Sequence, residues 1–210
     1  MAEKISAEAH WDGVYAQRDP TEVSWYEPAP EISLALIERT GLGRDAAILD
    51  VGGGTSGLAR ALLRDGYSDV TVADISAGSL RQAQTALGAE AGLVGWVQAD
   101  VRTHDFGRRY ELWHDRGVFH FMVSAADRDA YLEALRRALR PGGHAVLATF
   151  GPDGPTRCSG LPARRYDAEE LLRLLGGEFH AIATRLHEHT TPSGERQQFL
   201  YLLAHRTPDP

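Results

Sequence analysis

Three carboxylates spaced around a glycine run are the residues of this chain best suited to chemistry. Asp50 stands near the end of the apolar stretch Ile48-Leu49-Asp50-Val51, and Gly52, Gly53 and Gly54 follow directly. Asp74 closes a second apolar run, Val70-Thr71-Val72-Ala73-Asp74, and Asp100 stands in a third, Val97-Gln98-Ala99-Asp100-Val101. Glycines permit positive φ, and without a Cβ they let a ligand approach the main chain. The segment beginning at Leu58 is amphipathic, so a helix there would aim free amides and its positive dipole end at the turn. Read literally, Gly52, Gly54 and Gly57 form G-x-G-x-x-G with the acid Asp74 about 20 residues on, which is the dinucleotide fingerprint. Asp50 argues against a pyrophosphate, because it would place a negative charge beside the phosphates. A cationic ligand reverses the sign of that argument.

These residues need elements to hold them, and the pattern supplies alternating strands and helices. Ala46–Val51 reads as strand one, Leu58–Arg64 as a helix stopped by Gly66, and Val70–Asp74 as strand two. Leu80, Ala83 and Leu87 recur at helical spacing before strand three at Leu93–Asp100 and strand four at Tyr110–Asp115. Ser124 and Asp127 resemble a capping box for a helix carrying Tyr131, Leu132, Leu135, Ala138 and Leu139 on one face. Pro141-Gly142-Gly143 ends that helix, strand five follows at His144–Phe150, and Asp167–Leu175 is another helix. The last two extended runs, Phe179–Thr190 and Arg196–His205, are joined by Thr191-Pro192-Ser193-Gly194 and should pair antiparallel. Residues 1–30 read as irregular and rich in aromatics, with Trp11, Tyr15, Trp25 and Tyr26, ahead of a helix over Glu31–Arg39. The expected fold is a single α/β domain over residues 1–210, a doubly wound, mostly parallel sheet with an antiparallel C-terminal strand pair. Its parts are an N-terminal segment over 1–45, a binding core over 46–150, and a loop with the terminal strand pair over 151–210. Such sheets bind ligands at the carboxyl ends of their strands.

Composition removes several classes of function. A net charge of −7 repels a phosphate backbone, and the short groups Arg108-Arg109, Arg136-Arg137 with Arg140, and Arg164-Arg165 read as solvated faces, so nucleic acid is not expected as a partner. No apolar run approaches the ~20 residues that span a bilayer, and Met1–Ser6 lacks the apolar core of a signal peptide. The single cysteine, Cys158, forms no intramolecular disulfide and builds no multi-thiolate metal site, and a cytoplasmic location is the expectation.

The glycine turn with its three acids resembles the class I, seven-strand methyltransferases that use S-adenosylmethionine. Ile48–Gly54 matches the first motif of that family, acid-x-Gly-x-Gly, although the third glycine of the family is Ser56 here. Val70–Ser76 is similar to the second motif, in which Asp74, followed by Ile75, would grip the two ribose hydroxyls; a carboxylate suits this because it only accepts. Val97–Val101 is similar to the third, where Asp100 would accept from the adenine amino group and Val101 would stand beside it. The Pro141-Gly142-Gly143-His144 turn matches the approach to strand five. The resemblance implies a seven-stranded Rossmann-like sheet, S-adenosylmethionine as cofactor, S-adenosylhomocysteine as product, and cofactor contacts at Asp50, Gly52, Gly53, Gly54 and Ser56.

Methyl transfer needs an aligned nucleophile and, where the nucleophile carries a proton, its removal. The stretch after strand four, Trp113-His114-Asp115-Arg116-Gly117-Val118-Phe119-His120-Phe121, should face that space. It lacks the Asn/Asp-Pro-Pro-aromatic signature, and Asp115–Val118 is distantly similar to the Asp-Lys-Gly-Thr stretch of seven-strand protein lysine methyltransferases. The whole stretch resembles a Trp-His-Asp-Arg-x-Val-Phe-His-Phe motif of small bacterial methyltransferases, as does the loop Asp153–Pro162. His120 is the candidate base, since imidazole titrates near neutrality. Arg116 is a candidate for holding a carboxylate, Asp115 for a cofactor contact, and His114 for a structural role. His187-x-His189 and Cys158 read as packing rather than as metal ligands or a nucleophile, and no metal is expected. Trp25 and Tyr26 either cover the cofactor or plug the edge of the core. The expected function is methyl transfer to a small molecule. The alternatives are a protein (lysine) side chain as acceptor, a non-catalytic cofactor-binding adaptor, and an NAD-dependent oxidoreductase.

Overall fold

In a computed structural model describing residues 6–208, a seven-stranded sheet runs through the middle of the molecule. The strands are β1 (Ala47–Val51), β2 (Asp69–Asp74), β3 (Val94–Gln98), β4 (Tyr110–Arg116), β5 (Leu139–Phe150), β8 (Phe179–Thr190) and β9 (Arg196–Arg206), in the order β3-β2-β1-β4-β5-β9-β8. A two-stranded ribbon, β6 (Arg157–Cys158) with β7 (Leu161–Pro162), stands apart. The first five strands of the sheet pair in parallel and the last two antiparallel, β5 with β9 and β9 with β8. Chain order reverses between β1 and β4, which opens a crevice at the carboxyl ends of those strands.

Side chains alternate across the sheet. Leu49, Val51, Trp113 and Leu147 face α5 (Ala125–Ala138) and α6 (Ala168–Leu175), in a core with Tyr131, Leu135 and Leu171. Ile48, Val72 and Leu112 face the other way, toward α2 (Glu31–Glu38), α3 (Leu58–Arg64) and α4 (Ala77–Leu87). Each fully buried large side chain of these two layers contributes roughly 1.5–3 kcal/mol relative to exposure. β1 is buried at every position, and this fixes where the glycine turn emerges.

Two sequence expectations need correction. Residues 1–30 are not wholly irregular: Ala7–Gln17 is a helix, α1, with Ser6 Oγ accepting from the Ala9 amide at 3.2 Å. The N-cap serine, and Trp11 and Tyr15 four residues apart on one face, are the signals that mark it. Strand β5 runs from Leu139 through Pro141-Gly142-Gly143, but the pairing with β4 slips there, from Tyr110↔Leu139 to Leu112↔His144. The glycines bulge the strand rather than separate it from the helix. The capping serines Ser76 and Ser124 and the cap Asp167 hold the starts of α4, α5 and α6 by side-chain bonds to Ser79, Asp127 and Glu170 amides. The residues read for targeting, 1–5, lie outside the described residues. No helix among the described residues is long and apolar enough to cross a membrane.

Candidate active site

β1 delivers the glycine turn to the switch point, and packing dictates glycine there. The Gly52 amide donates to the Ala73 carbonyl at 2.7 Å, tying the turn to the end of β2. Gly52 has φ +65°, and a Cβ on it would stand 2.0 Å from Cγ2 of Val118. Gly54 has φ +43°, and its Cβ would meet the Tyr15 hydroxyl at 2.8 Å and Asp74 Oδ2 at 3.0 Å.

Asp50 points to the α2 side of β1, where it neighbours His114 across the parallel ladder. His114 Nδ1 lies 2.7 Å from Asp50 Oδ1, and its Nε2 lies 2.9 Å from the Ser33 hydroxyl on α2. With its proton on Nδ1, His114 donates to the carboxylate and accepts from the serine. His114 thus links β4 to Asp50 on β1 and to Ser33 on α2. Asp50 Oδ2 is buried with no protein partner and lies against Gly53. A buried acceptor left unpaired costs roughly 1–3 kcal/mol, more when charged, and a cationic or donor ligand at the turn relieves that cost.

Asp74 ends β2 with Oδ1 accepting the Ser76 amide at 2.8 Å. Burial, with Asp50 and Asp12 adding repulsion, pushes its carboxyl up to about 6. Asp100 is held differently. Arg102 grips it through Nε at 3.0 Å and through NH2 at 2.6 Å, and also bridges to Asp127. That guanidinium holds the Asp100 carboxyl below the usual carboxylate range.

Asp50 lines a cleft with Gly53 and Gly54, and Asp74 and Asp100 line a neighbouring cavity together with Val51, Gly52, Ile75 and Val101. Trp11, Tyr15 and Trp25 form its aromatic wall, with Trp25 edge-on to both others at 5.8 and 6.2 Å. The wall is fastened at several points. Asp12 on α1 accepts from the Ser76 hydroxyl at 2.6 Å and the Gly78 amide at 3.1 Å. Arg116 NH1 donates to the Trp25 carbonyl at 2.8 Å, its NH2 pairs with Glu27 at 2.9 Å, and its Nε donates to Tyr201 at 3.0 Å. His189 Nε2 lies 2.8 Å from the Ser24 carbonyl. Trp25 thus lines the cavity. Tyr26 lines an adjoining cleft with Gly53, Gly54 and Ser56.

The far end of the cavity holds His120, 2% exposed, stacked on Phe150 at 4.3 Å and edge-on to Phe121 at 4.4 Å. Neither ring nitrogen has a protein partner. Burial, with the Arg116 charge adding, holds the imidazole down to about 3, so it is neutral in the physiological range. That corrects the sequence expectation of a base titrating near neutrality. Arg116 is committed to the Trp25–Glu27 segment rather than presenting a free fork to a substrate. Asp115 is fully buried, and its carboxylate accepts from the Val118 amide at 2.8 Å, the Phe119 amide at 3.0 Å and the Tyr131 hydroxyl. It shapes the turn after β4 and does not line the cavity. Cys158 does line it, its thiol pushed up by burial. No group of three or more His, Cys, Asp or Glu side chains that could hold a metal ion occurs among the described residues. Sequence reasoning missed Tyr15 and Gln197 as cavity residues. The first carried a helical-spacing signal; the second reaches the cavity only because β9 pairs with β5.

A family model described as a methyltransferase domain matches residues 48–143. Over 115 residues, 52% of this chain, the sequence is 33% identical to a polyketide synthase-nonribosomal peptide synthetase, ACE1, of Pyricularia oryzae. It is 24% identical over 70% of its length to EEF1A lysine methyltransferase 2 of Danio rerio. The chain spans only 3% of the first protein and 69% of the second. Among solved structures, one described under the conversion of a disulfide bond into a thioacetal group during echinomycin biosynthesis superposes with a TM-score of 0.76 at 23% identity, over 97% of this chain and 94% of that one. The 1,6-didemethyltoxoflavin-N1-methyltransferase of Burkholderia thailandensis, with bound 1,6-didemethyltoxoflavin and S-adenosylhomocysteine, gives 0.70 at 21% identity, over 99% and 93%.

Proposed function

We propose that this chain, which belongs by its matched domain and its sheet order to the class I seven-strand methyltransferases, transfers a methyl group from S-adenosylmethionine to a small-molecule acceptor. The observation that carries the reading is the pairing of two acids on either side of the glycine turn. Asp50 offers a buried, unpaired oxygen, and Asp74 stands at the end of β2 where the cavity opens. That donor set fits a ligand with a cationic end and a diol, and it fits a pyrophosphate poorly. Asp74 would hold the ribose hydroxyls, Asp100 with Val101 the adenine, and Asp50 with Gly52, Gly53 and Gly54 the amino-acid end. Bound there, the cofactor supplies a methyl group on a positively charged sulfur.

The remaining work belongs to the protein's own side chains. Trp11, Tyr15 and Trp25 exclude water and offer aromatic faces to positive charge. Arg116 acts as a positioning residue that keeps the Trp25–Glu27 segment closed. His120, held neutral, can accept a hydrogen bond from a proton-bearing acceptor and orient it, while its imidazolium is too costly in this setting for it to store the proton. Support for a small acceptor comes from the closed aromatic wall and from the names of the polyketide, echinomycin and toxoflavin relatives. The lysine methyltransferase relative supports the second reading, a protein side chain.

Calorimetric titration with S-adenosylhomocysteine and with NADH, followed by labelled S-adenosylmethionine with a size-fractionated cell extract, tests this. The expectation is binding of the first ligand only and label in the low-molecular-weight fraction. NADH binding alone overturns the reading; label in protein supports the lysine alternative, and binding without any transfer supports an adaptor.

A further inference from the structure

The end of the cavity away from Asp74 has an unusual balance of groups. Its walls are aromatic: Trp11 meets Phe121 edge-on at 5.1 Å, Phe150 meets Phe199 edge-on at 5.0 Å, and the His120 ring stands between the two pairs. Two buried side chains bring polar atoms into this wall without protein partners. They are both nitrogens of His120 and Oε1 of Gln197, on residues 2% and 8% exposed. Buried polar atoms are nearly always paired, so unpaired ones lining a cavity mark ligand contacts. The charge at this end is that of Arg116, whose guanidinium stands 4.9 Å over the Phe199 ring. The Arg116 guanidinium is neutralised by Glu27, and Arg102 by Asp100 and Asp127 at the other end. Cys158 keeps its proton, since burial raises its pKa.

We propose that this end is the acceptor subsite and that it takes an uncharged aromatic molecule bearing a hydroxyl or ring N–H, bonded to His120 and Gln197. The inference rests on the methyltransferase reading and narrows its substrate class. A neutral imidazole presents one donor and one acceptor, and Gln197 Oε1 presents a further acceptor. An aromatic ring satisfies the walls, since offset and edge-on packing among rings is favoured. A lysine ammonium finds no carboxylate here, and only about one lysine in 2,500 is uncharged at pH 7. A phosphate or carboxylate fares no better, because neither guanidinium nearby is unpaired.

The test uses the full chain saturated with S-adenosylhomocysteine and follows binding by calorimetry. The probes are 2-naphthol, its uncharged saturated counterpart decahydro-2-naphthol, 2-naphthyl phosphate, and N-acetyl-lysine methylamide. We expect 2-naphthol to bind at least tenfold more tightly than the other three. His120→Phe and Gln197→Leu should each weaken it about five- to tenfold, the worth of one hydrogen bond, while the S-adenosylhomocysteine Kd stays unchanged. Equal or tighter binding of the lysine or phosphate probe overturns the proposal, as does a 2-naphthol Kd indifferent to both substitutions in folded protein. Failure of S-adenosylhomocysteine itself to bind overturns the methyltransferase reading, and the acceptor assignment with it.

Discussion

Asp74→Asn isolates the residue on which the cofactor reading depends. Burial raises the Asp74 carboxyl to about 6, so it is mostly protonated at pH 5 and mostly ionised at pH 8. A diol donates two hydroxyl protons to the ionised form and loses one acceptor, and the charge, when the group protonates. With a midpoint near 6, the ionised fraction falls about tenfold between pH 8 and pH 5, and the wild-type S-adenosylhomocysteine Kd should rise by about that factor. Replacing the carboxylate by the neutral amide removes the charge-assisted part, about 1.5–3 kcal/mol, or roughly 10- to 150-fold in Kd at pH 8. The pH dependence due to this group should disappear with it. Asp115 is also raised to about 6, but it is present in both proteins, so the difference between their profiles belongs to Asp74. Stability runs the other way. A carboxyl raised above its unfolded value favours folding at low pH, and that contribution is lost as pH rises through about 6. At pH 8 the buried charge costs about 3 kcal/mol. Asparagine keeps the oxygen that accepts the Ser76 amide and carries no charge, so the variant should melt no lower than wild type at pH 8. Calorimetry between pH 5 and pH 8, with melting curves at each pH, checks both halves. A flat wild-type Kd over that range, or an unchanged Kd in the variant, refutes the assignment.

Other perturbations report on the rest of the site. Gly52→Ala places a Cβ 2.0 Å from Val118 in a left-handed conformation, and should cost at least about 2 kcal/mol in urea unfolding and abolish measurable cofactor binding. His114→Leu leaves the buried Asp50 without its partner, which should cost about 3–5 kcal/mol; adding Asp50→Leu should restore most of it, and a fully additive double variant would contradict the pairing. Trp25→Ala should raise the S-adenosylhomocysteine Kd about tenfold, the worth of roughly 1.4 kcal/mol of lost ring contact, with a small change in melting temperature. An unchanged Kd with a lowered melting temperature would instead make Trp25 a core plug. Glu27→Gln should speed S-adenosylhomocysteine release in stopped-flow tryptophan fluorescence, because Arg116 then loses its counter-charge on the Trp25 segment.

The alternation of apolar runs with amphipathic segments was enough to place the strands and helices along the chain, because parallel strands buried on both faces and helices with one apolar face differ in period. The terminal strand pair was legible for a separate reason: Thr191-Pro192-Ser193-Gly194 leaves no room for a crossover helix. Helix α1 was not legible from apolar period alone. Its one buried residue is Tyr15, and what fixes the helix is the Ser6 cap and its latch through Asp12 to the start of α4. Such a latch depends on residues more than 60 positions apart, which no local pattern records.

The candidate site divides along the same line. Asp50 and Asp74 lie at the ends of β1 and β2, Gly52 and Gly54 just past β1, and Asp100 just past β3, so the strand pattern alone carries them to the carboxyl edge of the sheet. The residues after β4 are placed by side-chain packing, and there residue type misleads. Asp115 carries a carboxylate next to the site yet spends it on the Val118 and Phe119 amides and the Tyr131 hydroxyl. Arg116 has the fork of an anion binder yet spends it on Glu27 and the Trp25 carbonyl. His120 is the reverse case. It is packed against Phe121 and Phe150, yet both of its ring nitrogens stay unpaired. Burial then removes the property that made it a candidate base, its titration near neutrality, and leaves one that sequence does not display: a neutral donor and acceptor held rigidly against Phe150. In the proposed site, strand-end acids would answer the cofactor's charges, and rings with two neutral polar side chains would meet the acceptor. The strand ends would then carry the donor's chemistry, while the acceptor's would depend on how β5, β9 and the turn after β4 pack together.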